Sequence, residues 1–155
     1  MIPGHFDKTR LEPMFGKIYE ALQESSEDNS MWFEPCQVPD TAGLYPIVDK
    51  AFHVGFEKPP GAEIGSSKHV LNDHAYCCTM GPEVCDIGEP NPKYASQCEK
   101  WHEKKFTLRQ EDAKRLGVPF FMSEFGACLT EGPCTTEITQ VTEQSDRLLA
   151  GWSYW

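Results

Sequence analysis

Pro119-Phe120-Phe121-Met122-Ser123-Glu124-Phe125-Gly126 is the stretch on which the reading of this chain turns. It is a short apolar run that ends by presenting one carboxylate, with a glycine close behind. Continuous hydrophobic segments of this length mark a buried parallel strand, because helices cover the faces of its sheet. A carboxylate where such a strand emerges is costly to desolvate without a task, and parallel α/β enzymes carry their reacting groups at the C-terminal ends of strands. Glu124 is therefore the first candidate for chemistry. The bland alternative is a glutamate in a solvated strand–helix loop, paired with a neighbouring lysine.

Upstream of this strand, Gly117 suits the C′ position of a helix spanning Gln97 to Leu116, with Trp101, Leu108, Ala113 and Leu116 as a sparse apolar side. Before it, a cysteine- and proline-containing loop runs back to His69-Val70-Leu71-Asn72-Asp73-His74-Ala75-Tyr76, a second strand candidate. From Val38 to Ser67 the chain is rich in proline and glycine without a sustained period. That reads as a long loop, and loops of such length in compact domains are usually functional. Its Phe52, Phe56, Pro59 and Pro60 either meet a lipid or pack as the loop's own small core. Met31-Trp32-Phe33 reads as a short buried strand leading to Glu34-Pro35. Leu11, Met14, Phe15, Ile18 and Leu22 recur at helical spacing and predict an amphipathic helix of about 14 residues.

Downstream, Thr135 or Thr136 can cap a helix presenting Ile138, Val141 and Leu148. Gly151-Trp152-Ser153-Tyr154-Trp155 reads as one more strand. The order is helix, strand, long loop, strand, helix, strand, helix, strand. Such alternation predicts right-handed βα units in an α/β fold with a parallel sheet. Four strands at this spacing make about half of a TIM (β/α)8 barrel, which typically needs about 250 residues. One domain, residues 1–155, is expected.

Charge and cysteine content narrow the setting. A formal net charge of −10 argues against a nucleic-acid surface, which needs clustered Lys and Arg. No apolar run approaches the roughly 18 to 20 residues that span a bilayer. Cys36, Cys77, Cys78, Cys85, Cys98, Cys128 and Cys134 are many for a chain of this size, and lean towards an oxidising compartment with one thiol left over. Met1-Ile2-Pro3-Gly4-His5 carries no basic or apolar leader, so extracellular-style cysteines without one suggest that the start of the protein is missing. Zinc is a competing use of the cysteines. However, none shows C-x2-C spacing, and the neighbours Cys77 and Cys78 cannot easily share a tetrahedral ion. Disulfides securing the loop after the His69–Tyr76 strand are the stronger reading, and Cys128 and Cys134 could bridge to each other.

Several segments resemble glycoside hydrolase family 5, in its endoglycoceramidase-related branch. Trp32-Phe33-Glu34-Pro35 resembles the branch's "FFEP", and Gly55-Phe56-Glu57-Lys58-Pro59-Pro60-Gly61 resembles "GFEHxPGG". Val70 to Cys77 resembles "SVLSYHYYC", Ser123-Glu124-Phe125-Gly126 resembles "TEFG", and Gly151 to Trp155 resembles the last barrel strand. These occur in family order across most of the chain. The resemblance implies a retaining glycosidase with strands five to eight present and Glu124 as nucleophile. Two carboxyl groups suffice for such an enzyme, so no cofactor or metal is implied.

His74 and Tyr76 lie two apart on a strand and so share a face. The resemblance sets them beside the nucleophile. A tyrosine hydroxyl can hydrogen-bond a carboxylate in its ionised form, and a histidine can bind sugar hydroxyls or tune local charge. The alternative is a core histidine with a packing tyrosine. Trp155 and Trp152 would form an aromatic platform for a pyranose ring, against the alternative that both are simply core.

Glu34-Pro35 also matches the end of the family's acid/base motif "NEP" on strand four. Yet a single convincing strand lies between Glu34 and Glu124, where two would be needed, so Glu34 is expected on strand five, outside the catalytic pair. Gly88-Glu89-Pro90-Asn91 follows no apolar strand and is set aside. The acid/base glutamate, with strands one to four, is then expected outside this chain. By itself the chain should neither catalyse nor stay soluble, because half a barrel leaves two sheet edges unpaired.

The leading expectation is the C-terminal half of a glycosidase acting on glycosphingolipids or a related oligosaccharide, meeting membrane surfaces through its substrate and working in a secreted or lysosomal setting. The competing classes are a non-catalytic sugar- or glycolipid-binding derivative and, more weakly, a redox or metal module.

Overall fold

A computed structural model describes residues 4–37, 53–128 and 134–155. Four parallel strands form the main sheet in the order β1 (Met31–Phe33), β2 (His69–Ala75), β5 (Phe120–Phe125) and β6 (Gly151–Trp152). A small antiparallel hairpin, β3 (Cys85–Asp86) and β4 (Glu89–Pro90), stands in the connection after β2. Helix α1 (Glu12–Ser25) follows a π-helical turn at Asp7–Leu11, α2 (Ala95–Leu116) joins β2 to β5, and α3 (Thr135–Leu148) joins β5 to β6. The predicted α/β class, element order and parallel pairing are thus present. The four strands form an open sheet among the described residues, not a closed cylinder. No described helix is long and apolar enough to cross a membrane.

Local chemistry accounts for most element ends. Pro13 stands where the π-helical turn Asp7–Leu11 runs without a break into α1, and it brings no N–H to the ladder there. Gly117, with φ of 68°, ends α2 in a left-handed conformation, and the N–H of Val118 returns to the Ala113 carbonyl at 3.0 Å. This is a Schellman closure, which favours glycine because it has no Cβ to clash. The expected threonine cap on α3 is not used. Cys134 holds the N-cap position without a side-chain bond, and Glu89 reaches across from β4 to accept from the Thr136 and Glu137 N–H groups at 2.9 and 3.2 Å. A carboxylate there satisfies orphan donors and complements the positive helix end. Glu89, set aside on sequence grounds, has this structural task.

Period-two alternation gives the sheet two unlike faces. Phe33, Leu71, Ala75, Met122 and Phe125 are buried beneath the helices with Leu108, Ala113, Leu116 and Val141. Trp32, Val70, Asn72, His74, Phe121 and Glu124 lie on the other, open face, and none of them is fully buried. Phe56 is buried too, edge-on to Phe33 at 5.0 Å, and Pro59 and Pro60 are buried beside it. Phe56 thus joins the main core, against Phe33 and Phe15, rather than a separate core of the loop, and none of the three is presented at the surface. Phe52, with the rest of 38–52, lies outside the described residues. His69, fully buried at the start of β2, ties the same loop down through Ser66 Oγ at 2.8 Å and the Pro60 carbonyl at 2.9 Å.

Beneath β2 the core is ionic. Asp73 points to the helix side, fully buried, and pairs with Lys105 Nζ at 3.1 Å and with Arg109 Nε, both from α2. Gln37 donates to its other oxygen, which also accepts the His74 N–H at 2.7 Å. Arg109 reaches on to Asp112 at 3.4 Å, and Asp112 accepts the Val54 N–H at 2.9 Å. Burial alone would raise the Asp73 carboxyl, but the charges of Lys105 and Arg109 overcome it and hold the group at about 2, below the ordinary 3.8.

Because this folded-state value is depressed, the stabilisation is fully present above pH 3.8 and is lost as pH falls towards 2. Asp73→Asn removes the buried acid that Lys105 and Arg109 share and should cost about 3 kcal/mol in urea unfolding at neutral pH. The gap between wild type and variant should close on acidification through that window.

Candidate active site

Sheet register assembles the candidate residues. His74 pairs with Glu124 and Asp73 with Met122, so Ser123 is an extra residue on β5, a bulge. In an unbroken strand Ser123 and Glu124 would face opposite ways. The bulge turns both towards the open face, where Ser123 Oγ receives Asn72 Nδ2 at 3.0 Å and Glu124 meets β2. Bulges that re-aim one side chain are common next to active sites. Behind it, Gly126 has a φ of 100°, and any Cβ there would collide with the ring of Tyr154. The chain must therefore be glycine where it leaves β5.

Tyr76 donates its hydroxyl to Glu124 Oε1 at 2.6 Å. His74 Nε2 lies 3.8 Å from Glu124 Oε2 and 3.3 Å from Glu34 Oε2. Asn72 Nδ2 is 3.4 Å from the same Glu34 oxygen. Asn72, His74 and Tyr76 thus form one stripe along β2, between an acid after β1 and an acid on β5. The side chains of His74 and Glu124 are each 27% exposed, so the carboxylate is reachable but sheltered. Burial first, then the hydrogen bond to Glu124, pushes the Tyr76 phenol well above its ordinary value of 10.0. The hydrogen bond to Glu34 holds the His74 imidazole above its ordinary 6.5 against partial burial, and the charges of Glu34, Glu124 and Asp73 add to it.

The structure therefore brings together Glu124, His74 and Tyr76. Glu34, expected outside the catalytic pair, stands one imidazole away from Glu124. Trp152 pairs with Met122 and so belongs to the opposite face, its ring edge-on to Phe125 at 5.6 Å. Trp155 continues the ladder beside the site, its N–H bonded to the Phe125 carbonyl at 2.9 Å, and the residue is 70% exposed. Sequence reasoning passed over Asn72 and Ser123. The parity of Asn72 with His74 and Tyr76 was available as a signal, whereas nothing in Ser123 announces a bulge.

Six cysteines pair as Cys77–Cys98, Cys78–Cys85 and Cys128–Cys134, and Cys36 is a free thiol. Cys77 and Cys98 fasten the end of β2 to α2, and Cys78 and Cys85 fasten it to the hairpin. Cys77 also lies near a buried pair, His102 Nε2 to Glu137 Oε2 at 3.0 Å, but its sulfur is committed to Cys98.

No protein-family model matches the chain, and no curated protein matches it. Solved structures do. The lactosyl-enzyme intermediate of endo-glycoceramidase II from Rhodococcus sp. superposes with a TM-score of 0.72 at 20% identity, covering 100% of this chain and 31% of that one. A five-membered iminocyclitol complex of the same enzyme gives 0.75 at 18% identity, and a cellobiose-like isofagomine complex gives 0.74 at 18%, each with 100% of this chain and 32% of that one covered. The likeness shows a shared fold, and this chain spans about a third of the length of those structures.

An alkaline titration followed by tyrosinate absorbance should leave one tyrosine protonated well past pH 10. That late step should vanish in Tyr76→Phe, while an unchanged profile would mean that Tyr76 does not bond Glu124.

Proposed function

We propose that this chain carries the nucleophile half of a retaining glycosidase that cleaves O-glycosidic bonds, with glycosphingolipids as the substrate class. The observation that carries the reading is the setting of Glu124. One carboxylate oxygen accepts the Tyr76 hydroxyl at 2.6 Å, leaving the other to react, and a raised-pKa histidine stands beside it on the adjoining strand. An enzyme of the same fold has been captured as a lactosyl-enzyme intermediate, which supports covalent chemistry on such a frame.

In the proposed reaction a Glu124 oxygen attacks the anomeric carbon as the bond to the aglycone oxygen breaks. A second carboxylic acid protonates that leaving oxygen, then takes a proton from the water that hydrolyses the glycosyl ester. We assign this acid to the half-barrel that complements strands five to eight, so residues 1–155 form the C-terminal half of the catalytic barrel. Trp155, at the rim and largely exposed, is proposed to stack on the sugar ring. Three disulfides fit a secreted or lysosomal protein.

The test uses the natural protein that carries this chain. Incubation with an activated 2-deoxy-2-fluoro glycoside should add one glycosyl unit, mapped by peptide mass to Glu124. Glu124→Ala should lower kcat by about 10⁵-fold or more, with partial rescue by azide. Labelling of another residue would remove Glu124 from the nucleophile role, and binding of glycosphingolipid without turnover would favour the non-catalytic derivative.

A further inference from the structure

We propose that Glu34 is a positioning residue of this site: its carboxylate holds the His74 ring from the far side of β2, so that one imidazole is shared between Glu34 and Glu124. The proposal rests on the glycosidase reading and deepens it. The strand order β1-β2-β5 places the two acids on opposite sides of the strand that carries His74. His74 Nε2 is 3.3 Å from Glu34 Oε2, within hydrogen-bonding range, and 3.8 Å from Glu124 Oε2, beyond it. Glu34 is therefore the nearer acid at Nε2, and Glu124 meets the ring at longer range.

The chain around Glu34 is fastened on all sides. Cys36 N donates to Asp7 Oδ1 at 2.8 Å, and Gln37 bonds Asp73 while receiving Lys105 Nζ at 3.3 Å. Glu34 is thereby held to the same buried ionic core that seats β2. The charged groups that act on the imidazole are Glu34 after β1 and Glu124 on β5, on its own face, and Asp73 from the other side of β2. Asp73 is already matched by Lys105 and Arg109, which leaves Glu34 as the lasting counter-charge.

That matters at one step. When a Glu124 oxygen bonds the anomeric carbon, the bond to the aglycone oxygen breaks and Glu124 becomes a neutral ester. An imidazolium supported by Glu124 alone would lose its partner there. With Glu34 at Nε2 the ring keeps both its proton and its orientation through the intermediate, and no proton leaves His74 in this step.

The experiment is a side-chain NMR titration of histidine in the natural protein that carries this chain, with His74→Asn to assign the signal. The wild-type His74 midpoint should lie above 6.5, fall in Glu34→Gln, and sit between the two in Glu34→Asp, which keeps the charge. In turnover, Glu34→Gln should move the alkaline limb of the kcat profile to lower pH and reduce kcat about 5-fold at neutral pH, with KM changing less. An unchanged His74 midpoint in Glu34→Gln overturns the proposal. So does a rise in KM with kcat and its pH profile intact, which would make Glu34 a direct sugar contact. The titration needs no turnover: a protein without hydrolase activity defeats the functional reading, while the imidazole midpoint still decides the role of Glu34.

Discussion

A single buried carboxylate sets the geometry from which the site follows. Asp73 lies on the helix side of β2, fully out of water, and can remain ionised there only because Lys105 and Arg109 come down from α2 to meet it. Burying such a triad gains little net energy, since desolvation offsets the Coulomb attraction. What it supplies is registry. The pairs tie α2 to the helix-side face of β2, and strand alternation leaves the neighbouring residues of β2 for the open face. Asn72, His74 and Tyr76 present themselves there because their neighbour is held on the other side.

The second constraint is the bulge at Ser123. A regular β5 would bury Glu124 beneath the helices or lose the alternation of Met122 and Phe125, both fully buried. One inserted residue keeps both apolar contacts and still delivers the acid to the same face as Tyr76. The site thus depends on an exception to strand geometry laid over a strongly specified core, a common pattern where strands support chemistry.

Much of this was legible in the residues. Apolar runs and helical spacing located β1, β2, β5, β6 and all three helices to within a few positions, because those signals reflect burial directly. The pairing of Glu124 with Tyr76 and His74 followed from strand parity together with the family resemblance. What escaped was chemistry between distant segments. Lys105, Arg109 and Asp112 look like a solvated helix face until Asp73 is known to lie opposite. Glu89 looks like a loop acid until α3 presents its free N–H groups. Counting strands separated Glu34 from Glu124 in sequence, yet strand order brings both to the flanks of β2. The two-residue strands β3 and β4 carry too little pattern to be seen at all.

The adjacent cysteines at the end of β2 have an evolutionary corollary. Neighbouring residues there point apart, so Cys77 is delivered to α2 and Cys78 to the hairpin. One residue inserted between Tyr76 and Cys77 would rotate the 3-10 turn Cys77–Met80 by about a third of a turn and strand each sulfur from its mate. Length variation is therefore barred from this junction. Lineages descended from this sequence should keep the step from phenol to first sulfur invariant, together with the hairpin carboxylate that caps α3.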